Sequence, residues 1–324
     1  MSAVLPIELP VEPEVEEQLR RGSSGSEGSA AKRVKRRLTS RGATIAALLI
    51  AVLWTVPTFG LFVSSFRPAQ QVRTTGWWTM FSNWGFTLDN YSDVLAAGNS
   101  QLNLAGAFIN SIAITLPATA LPLIIASLAA YAFAWIDFRG KNILFIAVFA
   151  LQIVPLQMAL VPLLQLFSRG TIFGIPVVSA LNAGGGYAQV WIAHTMFALP
   201  LAIFLLYNFV SEIPSEVIEA ARVDGAGHGQ IFFRIVLPLT MPALASFAIF
   251  QFLWVWNDLL VALIFADGAV APMTKLLAEI TGSRGQDWHL LTAGAFISIL
   301  VPLLVFFALQ RFFVRGLLAG STKG

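Results

Sequence analysis

The sequence predicts an all-α polytopic membrane protein with six transmembrane helices. Three observations carry this. Of its 324 residues, 57% are hydrophobic and only 11% charged; its mean hydropathy is +0.76; and six nearly uncharged runs, each about 20 residues or longer, recur along it. Such runs span the hydrocarbon core at about 1.5 Å per residue. Lipid offers no backbone hydrogen-bond partner, so only helices or closed barrels can cross it. The ten-residue alternation of barrel strands is not seen. The composition argues against a soluble enzyme. With no cysteine, disulfides, thiolate metal sites and cysteine nucleophiles are excluded.

Residues 1–42 stand apart. Five glutamates between Glu8 and Glu17, a Gly/Ser stretch and the basic run Lys32-Arg33-Val34-Lys35-Arg36-Arg37 cannot bury a core, so a disordered cytoplasmic tail is expected. The basic run beside a span fits a topology anchor meeting anionic lipid headgroups, and no nucleic-acid role is needed. A cleaved signal peptide is not expected, because the polar lead and the apolar run after Arg41 are both too long.

The runs lie at about 43–66, 107–134, 143–167, 187–210, 239–265 and 290–310. They define a transmembrane domain over 43–313, followed by a cytoplasmic tail over 314–324. With the N-terminus inside, only Arg67, Arg73, Arg169, Lys275 and Arg284 of the 20 Lys and Arg fall outside, so the positive-inside rule places both termini in the cytoplasm. Trp77, Trp78, Trp84 and Trp288 then sit where an interfacial aromatic belt lies. Prolines at 117, 122, 155, 162, 200, 242 and 302 are expected to break or kink the spans.

Titratable groups are nearly absent from the spans. Asp258 and His194 are a thin relay for an ion-coupled carrier, and they lie on different spans without a hydrolase motif. Gly140-Lys141-Asn142 lacks the remaining residues of a phosphate-binding loop. The informative stretch is the inner loop 211–238. Pro214 suits a helix start, Glu216 and Glu219 suit the positive end of its dipole, and Gly225 or Gly227 suits its end. A second short helix hugging the membrane is expected over Gln230–Val236.

Within this loop Glu219-Ala220-Ala221, then Gly225, then Ile235, Val236, Leu237 and Pro238 match the EAA-type signature of binding-protein-dependent ABC importer permeases at full spacing. Phe108-Ile109-Asn110-Ser111, Trp256-Asn257-Asp258 and the tail from Arg315 to Gly324 add to the likeness. Residues 43–324 together resemble the MalG-like permeases of carbohydrate importers. Thr75-Gly76-Trp77-Trp78 and Leu259-Leu260-Val261-Ala262 resemble the glucose and α-glucoside branch.

The resemblance implies a type I importer permease in a bacterial plasma membrane. Its expected partners are a second homologous permease subunit, two ATP-binding subunits and an extracytoplasmic sugar-binding protein. The chain itself is expected to be non-catalytic and to hold no cofactor, MgATP being bound by the ATPase partners. Glu219, Ala220, Ala221, Asp224, Gly225, Ile235, Leu237 and Pro238 are then the ATPase-coupling residues, with Ala220 and Ala221 letting the helix approach a cleft. Asp224 either locks the turn or contacts the neighbour. The tail from Arg315 either reaches between the ATPase subunits or is a flexible end.

Cargo charge can be argued separately. No Lys or Arg lies deep in a span, which disfavours an anion and suits a neutral, hydroxyl-rich solute. Trp254, Trp256, Asn257 and Asp258, with Gln152 and Gln157, are the candidate sugar-pathway residues, although in the family that site can belong to the partner permease. Two alternatives stand beside the sugar importer: the same kind of permease for another neutral solute such as a polyol, and a secondary carrier.

Overall fold

The computed structural model describes residues 41–95, 103–168, 171–172, 175–176, 186–266, 268–281 and 287–321. Of the tail expected over 1–42, residues 1–40 lie outside the described residues, as do the cations Arg169 and Arg284, and Arg41 and Gly42 already belong to the first helix. The chain divides into two compact units, residues 1–61 and 62–324. The described part of the first is helix α1 (Arg41–Ser65) up to Leu61, predominantly apolar after Arg41.

In the second unit the last turn of α1 leads into α2 (Ala69–Thr74), a 3₁₀ turn over Trp77–Phe81 and α3 (Asp89–Leu95). This cap is held by buried polar groups. The Arg67 guanidinium donates to the Gly76 carbonyl at 2.8 Å and to the Thr75 and Thr79 hydroxyls at 2.7 and 2.9 Å. The Asn90 amide donates to the carbonyls of Ser65 and Arg67. Of the four tryptophans expected in an interfacial belt, Trp78, Trp84 and Trp288 are exposed and Trp77 is half-buried.

Helix α4 (Leu104–Trp135) and helix α7 (Tyr187–Ser211) form the most extensive pair in the unit. Helix α5 (Lys141–Ala150) and helix α6 (Leu156–Ser168) lie between them in the chain, followed by a two-residue antiparallel pair of strands, Thr171–Ile172 with Ile175–Pro176. Helix α8 (Ser215–Val223) comes next, then α9 (His228–Trp256), α10 (Leu260–Phe265), α11 (Met273–Thr281) and α12 (Trp288–Ser321). Among the described residues five helices are long and apolar enough to cross a membrane, or six if the bent α5–α6 pair is one span.

The structure corrects the expected spans at three points. Span three is not one helix. Its halves, Lys141–Ile153 and Leu156–Ser168, are bent by 104°. Val154 is extended with ψ 118°, as the residue before a proline prefers, and Pro155 supplies no N–H to bridge the gap. The other prolines do not break their helices: α4 runs through Pro117 and Pro122, and α7, α9 and α12 run through Pro200, Pro242 and Pro302.

Span five ends at Trp256, and Leu260–Phe265 is a separate short helix. The expected second membrane-hugging helix is instead the first turn of α9. An α turn over His228–Ile231 passes through a π turn over Phe232–Val236 into Leu237–Trp256. The π turn takes up an extra residue just before Pro238, whose ring would otherwise press on the Arg234 carbonyl in a regular α ladder.

Candidate functional site

Helix α8 is short because both ends are written into the sequence. Pro214 occupies its N-cap, Glu216 sits in its first turn, and Arg222 sits in its last. It stops where Gly225 takes φ +80°, a conformation that costs a side-chain-bearing residue about 1–2 kcal/mol. The Gly225 N–H donates to the Arg222 carbonyl at 3.0 Å and the Ala226 N–H to the Ala221 carbonyl at 2.9 Å. This paired closure turns the chain back sharply toward α9.

The faces of α8 are clearly divided. Ile218 and Ala221 are buried, packed in one cluster with Ile213, Tyr131, Ile231, Phe232 and Val236. Glu219, Ala220 and Asp224 are exposed. The expectation that both alanines face an approaching cleft is therefore corrected: Ala221 points into the core at an i,i+3 position from Ile218, and Ala220 lies outside beside Glu219. Among the described residues the Glu219 and Asp224 carboxylates make no hydrogen bond or ion pair. Ile235 and Leu237 are half-buried, and Pro238 is exposed.

Four contacts bolt this loop to the ends of the spans. Arg222 donates to the Trp135 carbonyl at the end of α4 at 3.0 Å, and the Trp135 indole N–H donates to the Val210 carbonyl at the end of α7 at 3.2 Å. Tyr131 hydrogen-bonds His228 at 2.9 Å and meets the Phe232 ring edge-on with centroids 5.5 Å apart. None of Tyr131, Trp135 and His228 was anticipated, because their partners lie about a hundred residues away and no local spacing signals them.

The candidate pathway residues separate. Gln152 and Trp254 line one cavity of about 530 Å³, together with Phe197, Ala198, Leu201, Leu205, Phe247, Phe250 and Gln251. The others do not join it. Gln157 is exposed on α6. Trp256 is buried in another cluster, where its indole N–H donates to the Ser298 carbonyl. Asn257 turns back to its own helix and donates to the Leu253 carbonyl.

Asp258 occupies the break between α9 and α10. Its Oδ2 accepts the N–H groups of Val261 and Ala262 at 3.0 and 3.1 Å, and its carbonyl accepts the Thr274 hydroxyl at 2.6 Å. His194 Nε2 approaches the same carboxylate at 3.8 Å, with both side chains nearly buried. The two groups thus meet although they come from different spans. The carboxylate is already satisfied as a helix cap.

Two residues of the second motif have clear structural work. Asn110 donates to the carbonyls of Ala269 and Ala271 and accepts from the Tyr187 hydroxyl, while Ser111 accepts the Met273 N–H. Together they fasten the segment after α10 to the start of α4. Gln251 was missed as a site residue. An amide in the middle of an otherwise apolar run was the available signal.

A bundle of apolar helices around an amide-lined cavity, with a bolted loop between two spans, defines a polytopic membrane transport subunit. Residues 122–318 match the family described as binding-protein-dependent transport system inner membrane component, and the chain belongs to it. It is 52% identical over 287 residues to the osmoprotective compounds uptake permease protein GgtD of Synechocystis sp., covering 86% of this chain and 91% of that one. It is 39% identical to the alpha-glucoside transport system permease protein AglG of Rhizobium meliloti, covering 86% and 96%. Its fold is similar, with a TM-score of 0.61 at 14% identity over 87% of this chain and 98% of the other, to a chain in the crystal structure of a bacterial alginate ABC transporter in complex with an alginate pentasaccharide-bound periplasmic protein.

Proposed function

We propose that this chain is a permease subunit of an ATP-driven importer for a neutral, hydroxyl-rich solute of the sugar or glycoside class, and that α8 is the element through which ATPase subunits move it. One observation carries the coupling role: the exposed Glu219, Ala220 and Asp224 stand on a helix whose other face, Ile218 and Ala221, is buried in the bundle. A protrusion fixed to the ends of two spans transmits displacement instead of absorbing it.

The loop is cytoplasmic in this reading, as are both termini, in keeping with the excess of Lys and Arg on that side. Two ATP-binding subunits hold MgATP, a second homologous permease completes the pathway, and an extracytoplasmic receptor delivers the solute. Closure of the ATPases moves α8, and the bundle rocks between inward-open and outward-open states as rigid bodies. This chain performs no covalent chemistry. The solute class is supported by the named cargoes of the relatives, osmoprotective compounds and alpha-glucosides, and by a cavity lining free of charged side chains.

The test is reconstitution of the full complex with its receptor in liposomes. Solute uptake that requires ATP inside and the receptor outside is expected. Uptake by this chain alone, driven by a proton or sodium gradient, would instead establish a secondary carrier.

A further inference from the structure

Two amides and an indole face the 530 Å³ cavity, Gln152 from the break in span three and Gln251 and Trp254 from α9. The Gln251 amide nitrogen donates to the Ala118 carbonyl at 3.1 Å, which fixes the side chain. Its oxygen makes no hydrogen bond among the described residues, and neither does the Gln152 amide nor the Trp254 indole N–H. Trp254 is held in place by the His194 ring, which meets it at 90° with centroids 5.4 Å apart.

Gln152 sits at the break in span three, in the 3₁₀ turn over Leu151–Ile153 just before extended Val154. Irregular backbone at membrane depth is tolerated only where it is buried in protein or lines a wet cavity. Gln251 is buried and Gln152 is exposed at the cavity mouth, and amides at membrane depth with no protein partner call for a hydrogen-bonding occupant. Phe197, Phe247, Phe250 and Trp254 supply aromatic surface around them, and no Lys, Arg, Asp, Glu or His lines the space. Its volume lies in the range of about 300–1,000 Å³ typical of small-ligand sites.

We infer that this chain itself holds the solute in transit, with Gln152, Gln251 and Trp254 binding the hydroxyls of a neutral glycoside whose ring faces lie against the phenylalanines. Amides donate and accept, so they can serve hydroxyls of either polarity, and the uncharged lining selects against phosphorylated or carboxylated sugars. The inference rests on the permease reading above and goes beyond it by assigning a binding site to this subunit rather than to its partner permease.

The experiment uses the complete receptor-coupled transporter and a radiolabelled α-glucoside. Gln152→Leu and Trp254→Leu are each expected to lower solute carried per ATP hydrolysed by about tenfold, the loss that follows deletion of one hydrogen bond to the bound solute. Gln152→Asn keeps an amide and should fall between Gln152→Leu and wild type, whereas Trp254→Phe keeps a ring face but no N–H and should lie close to Trp254→Leu. A second measurement is independent of turnover: the wild-type complex trapped with vanadate should retain labelled solute after the receptor is washed away, and the Leu variants should not. If transport per ATP is unchanged in both Leu variants, or if the trapped wild-type complex retains no solute, the site is refuted while the permease function stands. If wild-type complex shows no ATP-dependent uptake at all, the permease reading fails and the site with it.

Discussion

The guanidinium of Arg222 donates to the carbonyl of Trp135 at 3.0 Å across 87 residues of sequence, joining the loop helix α8 to the C-terminal end of α4. Trp135 in turn donates its indole N–H to Val210, so a single residue ties together the ends of two spans and the loop that connects one of them to the next. An exposed bond of this kind contributes only about 1 kcal/mol to stability, and its value is positional. Arg222→Ala and Trp135→Phe are therefore expected to leave the complex assembled yet lower solute transported per ATP several-fold. Purification of the intact complex, followed by paired uptake and hydrolysis assays, checks both halves. Equal coupling ratios in wild type and variants would show that the bond is incidental.

Gly225 offers a test of backbone geometry alone. It adopts φ +80°, and a Cβ added there would meet nothing within 4 Å, so any penalty comes from the conformation and not from a clash. Gly225→Ala should cost about 1–2 kcal/mol locally, and Gly225→Asn less, because Asn tolerates this region. Gly225→Pro should abolish uptake. Proline cannot reach the required φ and removes the N–H that closes the turn onto the Arg222 carbonyl. The measurement is uptake across the series, with the order Gly, Asn, Ala, Pro expected.

The two faces of α8 should respond differently to mutation. Glu219 is exposed, so Glu219→Lys is expected to change stability by no more than about 0.5 kcal/mol and yet to abolish co-purification of the ATPase subunits. Ile218 is 1% exposed, and Ile218→Ala should cost about 2–5 kcal/mol through the cavity it leaves, lowering the thermal midpoint of the purified chain. Thermal unfolding in detergent and pull-down with the ATPases separate the two effects. Retained ATPase binding in Glu219→Lys would remove the docking role.

How far the sequence was readable depends on the range of the interactions involved. The apolar runs were visible because lipid imposes length and composition residue by residue, and the limits of α8 were visible because Pro214 and Gly225 act locally. The break in span three was not distinguished from the other prolines. Pro117, Pro122, Pro200, Pro242 and Pro302 all sit inside continuous helices, and only at Pro155 does the chain bend by 104°. That outcome depends on packing that local propensity does not encode. The orientation of Ala221 was misjudged for a similar reason. The repeat of small residues is compatible with either face, and the choice is made by the cluster that α8 joins, in which Phe232 comes from the next helix and Tyr131 from distant α4. Gln152 and Trp254 were recognisable as polar or amphipathic groups in spans, whereas Trp256 and Asn257, chosen on the same grounds, are consumed by structural hydrogen bonds.

Asp258 allows a capping role to be separated from a protonation role. Its Oδ2 accepts two backbone N–H groups at the start of α10. An Asn at this position keeps an amide oxygen that can accept the same bonds, while Ala leaves both donors unpaired. Asp258→Ala is expected to destabilise the chain by about 1–2 kcal/mol, seen as a lower thermal midpoint, with uptake falling in proportion to the folded fraction. Asp258→Asn should keep most of both. A proton relay makes the opposite forecast: Asn cannot ionise, so uptake would vanish in Asp258→Asn although the protein remained folded. Because His194 Nε2 lies 3.8 Å from the carboxylate, too far for a direct hydrogen bond, His194→Gln is expected to follow the capping pattern, with a modest loss of stability and retained ATP-dependent uptake.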